Sequence, residues 1–421
     1  MSERPEGLAA YVAVTAAYWA FMLTDGALRM LVLLHFNTLG FSPIQLAYLF
    51  VLYEIAGVVT NLCAGWIAAR FGLTSTLYAG LSLQLVALLA LALLDPGWGI
   101  TASVIFVMAV QGLSGVAKDL AKMSSKSAVK LLAPSQGDGL FRWVALLTGS
   151  KNAVKGLGFL LGAAALGLFG FVPSLLGMAA VLFVILVAVV LRMPGGLPSG
   201  KKDAKFKEVF SKNRNINWLS AARMFLFGAR DVWFVVGIPI YFYAVLSDGT
   251  PESNRAAFFL IGVFMAVWVI LYGVVQASAP KLLRAKDKSH AEIVGEARFW
   301  VGTLFGVPVV LSLAVLFAGA PTVWLTSLIV AGLLVFGALF ALNSALHSYM
   351  ILAFTNSERV TMDVGFYYMA NAAGRLIGTV LSGLTYQLGG LPLVLGSAAL
   401  MIALSYFCIG ALGSESRAKS A

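Results

Sequence analysis

The sequence predicts an all-α membrane protein whose twelve transmembrane helices form two related six-helix bundles. Three observations carry this. Hydrophobic residues fill 60% of the 421 positions and charged residues only 11%, where a soluble domain carries roughly a quarter. The mean hydropathy is +0.91. Apolar segments of about 20 residues, each long enough to cross a hydrocarbon core, recur along the whole chain. Short motifs of the first half also return, in the same order, in the second.

The first six spans read Leu8–Phe36, Pro43–Ala69, Thr74–Leu94, Gly99–Lys122, Leu140–Leu168 and Pro173–Leu191. The second six read Ile216–Leu246, Ala256–Ala279, Phe299–Ala318, Thr322–Phe354, Gly365–Leu388 and Pro392–Leu412. Met193 to Asn215 is Gly/Pro-rich, then basic, and is the one long hydrophilic linker. It divides the chain into an N-terminal bundle (1–192), the linker (193–215) and a C-terminal bundle with a short tail (216–421). The polar opening MSERPEG does not read as a cleaved signal peptide, because the apolar run after it is long enough to span. No segment between spans is long enough for a separate soluble domain.

Twelve spans place both termini on one side. The connections on the other side (37–42, 95–98, 169–172, 247–255, 319–321 and 389–391) contain a single cation, Arg255. The connections on the terminal side carry Arg70, Lys126, Lys130, the Lys/Arg cluster of 201–214, and Lys281 to Lys288. Positive charge collects in cytoplasmic loops, so both termini are expected in the cytoplasm. The same distribution explains the net charge of +11 without a nucleic-acid partner. The bilayer is the partner that the charges imply.

The internal repeat has a spacing a little over 200 residues. GVVTN from Gly57 matches GVVQA from Gly273, and VQGLSGVAKDLAK from Val110 aligns with VFGALFALNSALH from Val335, setting Lys122 opposite His347. Lys155, Gly158 and Gly170 align with Arg375, Gly378 and Gly390. Two parallel six-helix repeats in this order resemble the major facilitator superfamily. The loop GWIAARFG after the second span is similar to that superfamily's gating motif through Gly65, Arg70 and Gly72, with Ala69 where the usual Asp stands. Gln111-Gly112 fits the fourth-span pattern, with Met108 in place of a common Arg.

Charges at membrane depth cost several kcal/mol and normally face a cavity or a partner. The first span carries Asp25 and Arg29, the second Glu54, the fourth Lys118, Asp119 and Lys122, and the fifth Lys151 and Lys155. The seventh carries Arg223, Arg230 and Asp231, and the eleventh Arg375. The third, sixth, ninth and twelfth carry none. Those four are peripheral in the superfamily, whereas the others line its central cavity. The eight cations exceed the four acids by four. Lys151 lies about 16 Å and Arg230 about 21 Å along their helices from the terminal side, too deep to snorkel easily. Lys155 follows Lys151 on the same face, one turn deeper. A cation excess of this kind favours a small polyanionic ligand, and Arg forks suit phosphate or carboxylate oxygens.

Each residue also has a plainer reading. Asp25 and Arg29, at i,i+4, can pair within their own helix. Lys118 and Lys122 can snorkel toward the terminal side, and Arg223 is shallow enough to anchor at the interface. Lys151, Lys155, Arg230 and Arg375 have the weakest such alternatives and stand first as ligand contacts. Glu54, Asp119 and Asp231 either neutralise nearby cations or, for Glu54 and Asp231, carry protons; Asp25 shares that choice. His347 is either a packed residue or part of a relay. Cys63 and Cys408 are far apart and read as packing residues, with no metal-ligand or redox spacing. No G-x-x-x-x-G-K-[ST] loop occurs, which argues against direct ATP drive, and no cofactor is implied.

Four segments resemble the ArsJ family of organoarsenical efflux permeases: LTDGALRMLVLLHF from Leu23, SGVAKDLAKMSSKSAVKL from Ser114, TGSKNAVKG from Thr148 and LSAARMFLFGARDVWFVVG from Leu219. The resemblance implies export of 1-arseno-3-phosphoglycerate, made by glyceraldehyde-3-phosphate dehydrogenase from arsenate and glyceraldehyde 3-phosphate, and hence arsenate resistance. It implies a secondary transporter, not an enzyme, and the lack of a targeting peptide suits a bacterial cytoplasmic membrane. The cation excess suits a ligand with two multiply charged oxyanion groups, while two isolated cysteines do not suit trivalent arsenite. A major facilitator carrier for another organic phosphate or a drug is the alternative, with a non-transporting membrane enzyme or sensor behind it.

Overall fold

The computed structural model describes residues 6–132, 139–192, 211, 213–284, 288–355 and 360–412. Most of the linker (193–210 and 212) and the tail 413–421 lie outside the described residues, as do the side chains of Lys126 and Lys130. All regular structure described is helical. α1 (Glu6–Thr38) is the first span; α2 (Pro43–Tyr48) and the opening limb of α3 (Val51–Ala92) form the second. The rest of α3 is the third, and α4 (Ile100–Leu132), α5 (Gly139–Phe169) and α6 (Phe171–Arg192) are the fourth to sixth. The seventh span is α7 (Arg214–Val232), a π-helical turn at Trp233–Gly237, and α8 (Ile238–Leu246). α9 (Pro251–Leu283), α10 (His290–Ala318) and α11 (Val323–Phe354) follow, and α12 (Val360–Gly410) carries the last two spans.

Twelve crossings are present because two helices turn without ending. At Gly72 the backbone has φ +73°, which only glycine adopts without strain, and α3 folds back there between the second and third spans. Within α12 the apolar stretch Asp363–Gly410 is 48 residues long, far longer than one crossing requires. Non-helical angles at Gly389 and Gly390 divide it. The ninth span starts earlier than the hydropathy of its first turns suggests. Ser289 and Glu292 close a capping box that extends α10 back to His290, into a polar stretch.

The spans differ in depth. In their most apolar windows the seventh is 89% buried and the first 78%, whereas the sixth and ninth are 28% and 22% buried. The least buried spans are thus among those without charges, as expected of lipid-facing helices. Within the first six spans α1 packs on α4, α5 and α6, and α3 on α4 and α6; within the last six, α12 packs on α7 and α10, and α11 on α9 and α10. The two sets meet where α5 lies along α9 and where α2 and α3 lie along α12. Small residues permit the close approaches that place the charges. A Cβ on Gly26 would come within 2.6 Å of the Lys155 carbonyl, and one on Gly378 within 2.9 Å of Asp231 Cβ.

The π-helical turn has a local cause. Pro239 has no N–H to give to the carbonyl one turn back, so the helical ladder is interrupted there. Ser382 of α12 braces the donor side of the same turn: its Oγ accepts from the backbone N–H of Val236 and of Gly237, each at 3.1 Å. The turn directly follows Arg230 and Asp231.

Candidate functional site

Five of the charged residues expected at membrane depth, Arg29, Glu54, Arg230, Asp231 and Arg375, converge between the two sets of six spans. Glu54, fully buried on the second span, is the hub. Its Oε1 accepts from Arg29 Nη2 at 3.2 Å, and its Oε2 accepts from Arg375 Nη2 of the eleventh span. Arg375 Nε also lies 3.6 Å from Asp231 Oδ2, and Arg230 Nε donates to Asp231 Oδ1 at 2.6 Å. Three guanidinium groups therefore share two carboxylates across the seam.

Two smaller groups flank this network. Lys155 Nζ donates to Asp25 Oδ2 at 2.9 Å, and Tyr53 Oη donates to Asp25 Oδ1 at 2.6 Å. Asp119 accepts from Thr60 Oγ1 at 2.5 Å and from Lys122 Nζ at 3.4 Å, with Lys118 Nζ at 4.0 Å. Lys122 also donates to Asn61 Oδ1 at 2.8 Å, and Lys118 stands over the Tyr53 ring, 4.1 Å from its centre. Arg29, Lys155, Arg230 and Arg375 keep 12–21% of their side-chain surface accessible, whereas the carboxylates they touch keep 2% or less. The cations thus retain some accessible surface while the acids are buried.

Several plain readings give way. Asp25 and Arg29 do not pair with each other within α1: Asp25 takes Lys155 and Arg29 takes Glu54. Arg223 is no interfacial anchor. It is 4% exposed, donates from Nε to Asn371 Oδ1 at 2.9 Å and from Nη1 to the Ser344 carbonyl and hydroxyl at 3.0 and 3.1 Å. Lys118 and Lys122 turn to Asp119 instead of snorkelling. His347 is fully buried on α11, with neither ring nitrogen bonded, and is not joined to Lys122. Lys151 is half-buried, one turn from Lys155. Of the gating motif, Arg70 is exposed, Gly72 makes the turn, and the surroundings of Gly65 lie outside the described residues.

The sequence reading passed over Tyr53, Thr60, Asn61, Ser344 and Asn371. For the first three a signal existed. Tyr53, Glu54, Gly57, Thr60 and Asn61 recur at three- and four-residue steps, a polar stripe down one face of an otherwise apolar helix.

Residues 11–349 match the family described as the Major Facilitator Superfamily. The chain belongs to the major facilitator superfamily. As a member it is a multi-pass membrane protein and a secondary transporter, not an enzyme. Solved structures agree on the fold across nearly the whole chain. A bacterial homologue of the iron transporter ferroportin, in its inward-facing state, superposes with a TM-score of 0.69 at 14% identity, covering 99% of this chain and 100% of that one. A POT family transporter in complex with 5-aminolevulinic acid gives 0.71 at 15%, covering 94% of each chain. The nucleoside transporter NupG gives 0.64 at 16%, covering 97% and 98%. Among curated proteins, no sequence matches the chain. Identities this low establish the shared major facilitator fold and nothing about the cargo, which must be argued from the charges.

Proposed function

We propose that this major facilitator transporter exports a small polyanionic organoarsenical, 1-arseno-3-phosphoglycerate, and thereby confers arsenate resistance. The observation that carries the reading is the sharing of Glu54 and Asp231 by Arg29, Arg230 and Arg375. Guanidinium groups that outnumber their carboxylates are disposed to take further oxyanion oxygens, and their planar forks match phosphate and arsenate. The resemblance of the segments around Asp25, Lys118, Lys151, Lys155, Arg223 and Arg230 to the ArsJ permeases supports the choice of cargo.

In this mechanism the cargo, supplied by glyceraldehyde-3-phosphate dehydrogenase, enters from the cytoplasm. It meets Arg29, Arg230 and Arg375 near the midplane, with Lys151, Lys155, Lys118 and Lys122 around it. Bodies 1–192 and 216–421, joined by 193–215, then rock about the bound anion. Packing at the side away from the linker supports cytoplasmic entry: there the Ile44 amide donates to Gln387 Oε1 at 3.3 Å, and Gly167 lies against Arg255. Oxyanions that take up Arg375 compete with Glu54, so binding loosens the tie between the two bodies. An inside-negative potential favours exit of an anion by about 2.3 kcal/mol per charge per 100 mV. The basic loops support a bacterial inner membrane with both termini in the cytoplasm.

An organic phosphate would meet the same guanidinium groups, so the test must separate the two. Arsenate-sensitive cells would express the transporter with or without the dehydrogenase. Resistance that rises only when both are present supports the reading. Unchanged resistance, with the protein shown in the membrane, contradicts it.

A further inference from the structure

We propose that Arg223 and Arg230 form a two-point site across Phe227 that selects anions bearing two separated oxyanion groups over anions bearing one. This deepens the polyanion reading above and rests on it.

Arg223 differs from six of the other intramembrane cations. Arg29, Lys118, Lys122, Lys155, Arg230 and Arg375 each have a carboxylate within 4.0 Å. Among the described residues Arg223 has none; Asn371 and Ser344, both neutral, supply its hydrogen bonds. Those bonds fix the plane of the guanidinium but do not balance its charge, and an uncompensated buried cation is costly. One turn from Ser344 on α11, His347 is fully buried and has a partner at neither ring nitrogen. A donor of the neutral imidazole is thus unspent beside a cation that lacks its anion.

The placement of Arg223 gives the missing anion a shape. Arg223 and Arg230 are seven residues apart on α7, two turns along one face. Phe227 is buried between them, with Arg223 Cζ 3.9 Å and Arg230 Cζ 5.0 Å from the centre of its ring. The two guanidinium groups cannot be farther apart than those distances laid end to end. Arg230 is tied through Asp231 to Arg375, so one end of this pair belongs to the shared network and the other end stands alone. A single phosphate or arsenate can occupy one end. A three-carbon chain with an oxyanion at each terminus can occupy both, with its carbon backbone along the Phe227 ring.

The test is binding of chemically stable alkanediol bisphosphates with two-, three- and six-carbon chains to the purified full-length protein in nanodiscs, with inorganic phosphate as the single-headed probe. The expected result is a peak at the three-carbon compound, at least about tenfold tighter than the others, that flattens in Arg223→Gln. Should Arg223→Gln fail to fold, Arg223→Lys keeps the charge without the fork, and its peak is expected to fall. Tight binding of every bisphosphate with no dependence on length overturns the two-point site and leaves the polyanion reading standing. A peak as high as wild type's in either folded variant also overturns it. Absence of binding by wild type to any of the anions removes the polyanion reading, and this inference with it.

Discussion

Arg375 and Glu54 form an ion pair that joins the eleventh span to the second, 321 residues apart in sequence. Glu54 is fully buried and holds Arg29 with its other oxygen, so a single carboxylate serves a cation from each half of the chain. An acid in that position does two things. It compensates charge inside the bilayer, and it ties the halves at a point that an incoming oxyanion can contest.

Removing that acid should therefore cost both stability and transport. Glu54→Gln leaves two guanidinium groups facing each other and is expected to lower stability by about 3–5 kcal/mol, the cost of stranding a buried charge. Glu54→Gln with Arg375→Gln should recover part of the loss. Thermal unfolding of the four proteins in one detergent checks this, and additive losses would show that the pair is not coupled.

The aspartate–lysine pair of the N-terminal half should behave similarly on a smaller scale. Lys155 and Arg375, aligned in the repeat, each reach an aspartate on the first span of their own half: Asp25 and Asp231. Asp25→Asn is expected to destabilise more than Asp25→Leu combined with Lys155→Met, because the single change strands the ammonium. Tyr53→Phe removes one hydrogen bond to Asp25 and should cost about 1.5–3 kcal/mol. Melting temperatures of the three variants order these effects.

Much of this was legible in the sequence. The spans, the charged set and the pairing of repeats followed from hydropathy and spacing, because bilayer thickness sets helix length and lipid excludes charge. The partners were not legible. Asp25 and Arg29 satisfy an i,i+4 rule, yet Gly26 and Gly158 bring α5 so close to α1 that Lys155 reaches Asp25 instead. Arg223 looked shallow by its position along α7, but α11 and α12 cover it and supply Ser344 and Asn371. The π-helical turn was legible only in part: Pro239 marks the interrupted ladder, but the acceptor for the Val236 and Gly237 amides is Ser382, from a span 145 residues away.

Ser382 should matter more than a buried serine usually does. Ser382→Ala leaves the Val236 and Gly237 amides without their acceptor and is expected to cost about 1–3 kcal/mol. It should also disturb anion binding through the adjacent Arg230 and Asp231. Unchanged stability and binding would show that the turn holds itself.

The loop before α9 gives a pH test outside the membrane. The Asp248 carboxyl accepts from the Ser253 hydroxyl, and from the Thr250 amide at 2.9 Å and hydroxyl at 2.7 Å. These bonds hold it down to about 2. A depressed carboxyl stabilises its surroundings above the ordinary carboxylate range and loses that effect as pH falls toward 2. Protection of the Thr250 amide, taken relative to its intrinsic exchange rate at each pH, should accordingly persist until strongly acidic pH, and be lost already at neutral pH in Asp248→Asn. Equal protection in both proteins would contradict the assignment.

Membrane orientation can be read with cysteines placed in a Cys63→Ala, Cys408→Ala background. Gly249→Cys should react with an impermeant maleimide in intact cells, and Lys281→Cys only after lysis. The reverse pattern would place the basic loops outside.

The most direct measurement uses everted membrane vesicles supplied with labelled glyceraldehyde 3-phosphate, NAD and the dehydrogenase, with either arsenate or phosphate added. The account predicts arsenate-dependent accumulation that is lost in Arg230→Gln and Arg375→Gln proteins that remain folded. Equal accumulation with phosphate would make the cargo a broader class of organic phosphates. No accumulation with either, in vesicles containing folded protein, would contradict anion export through these arginines.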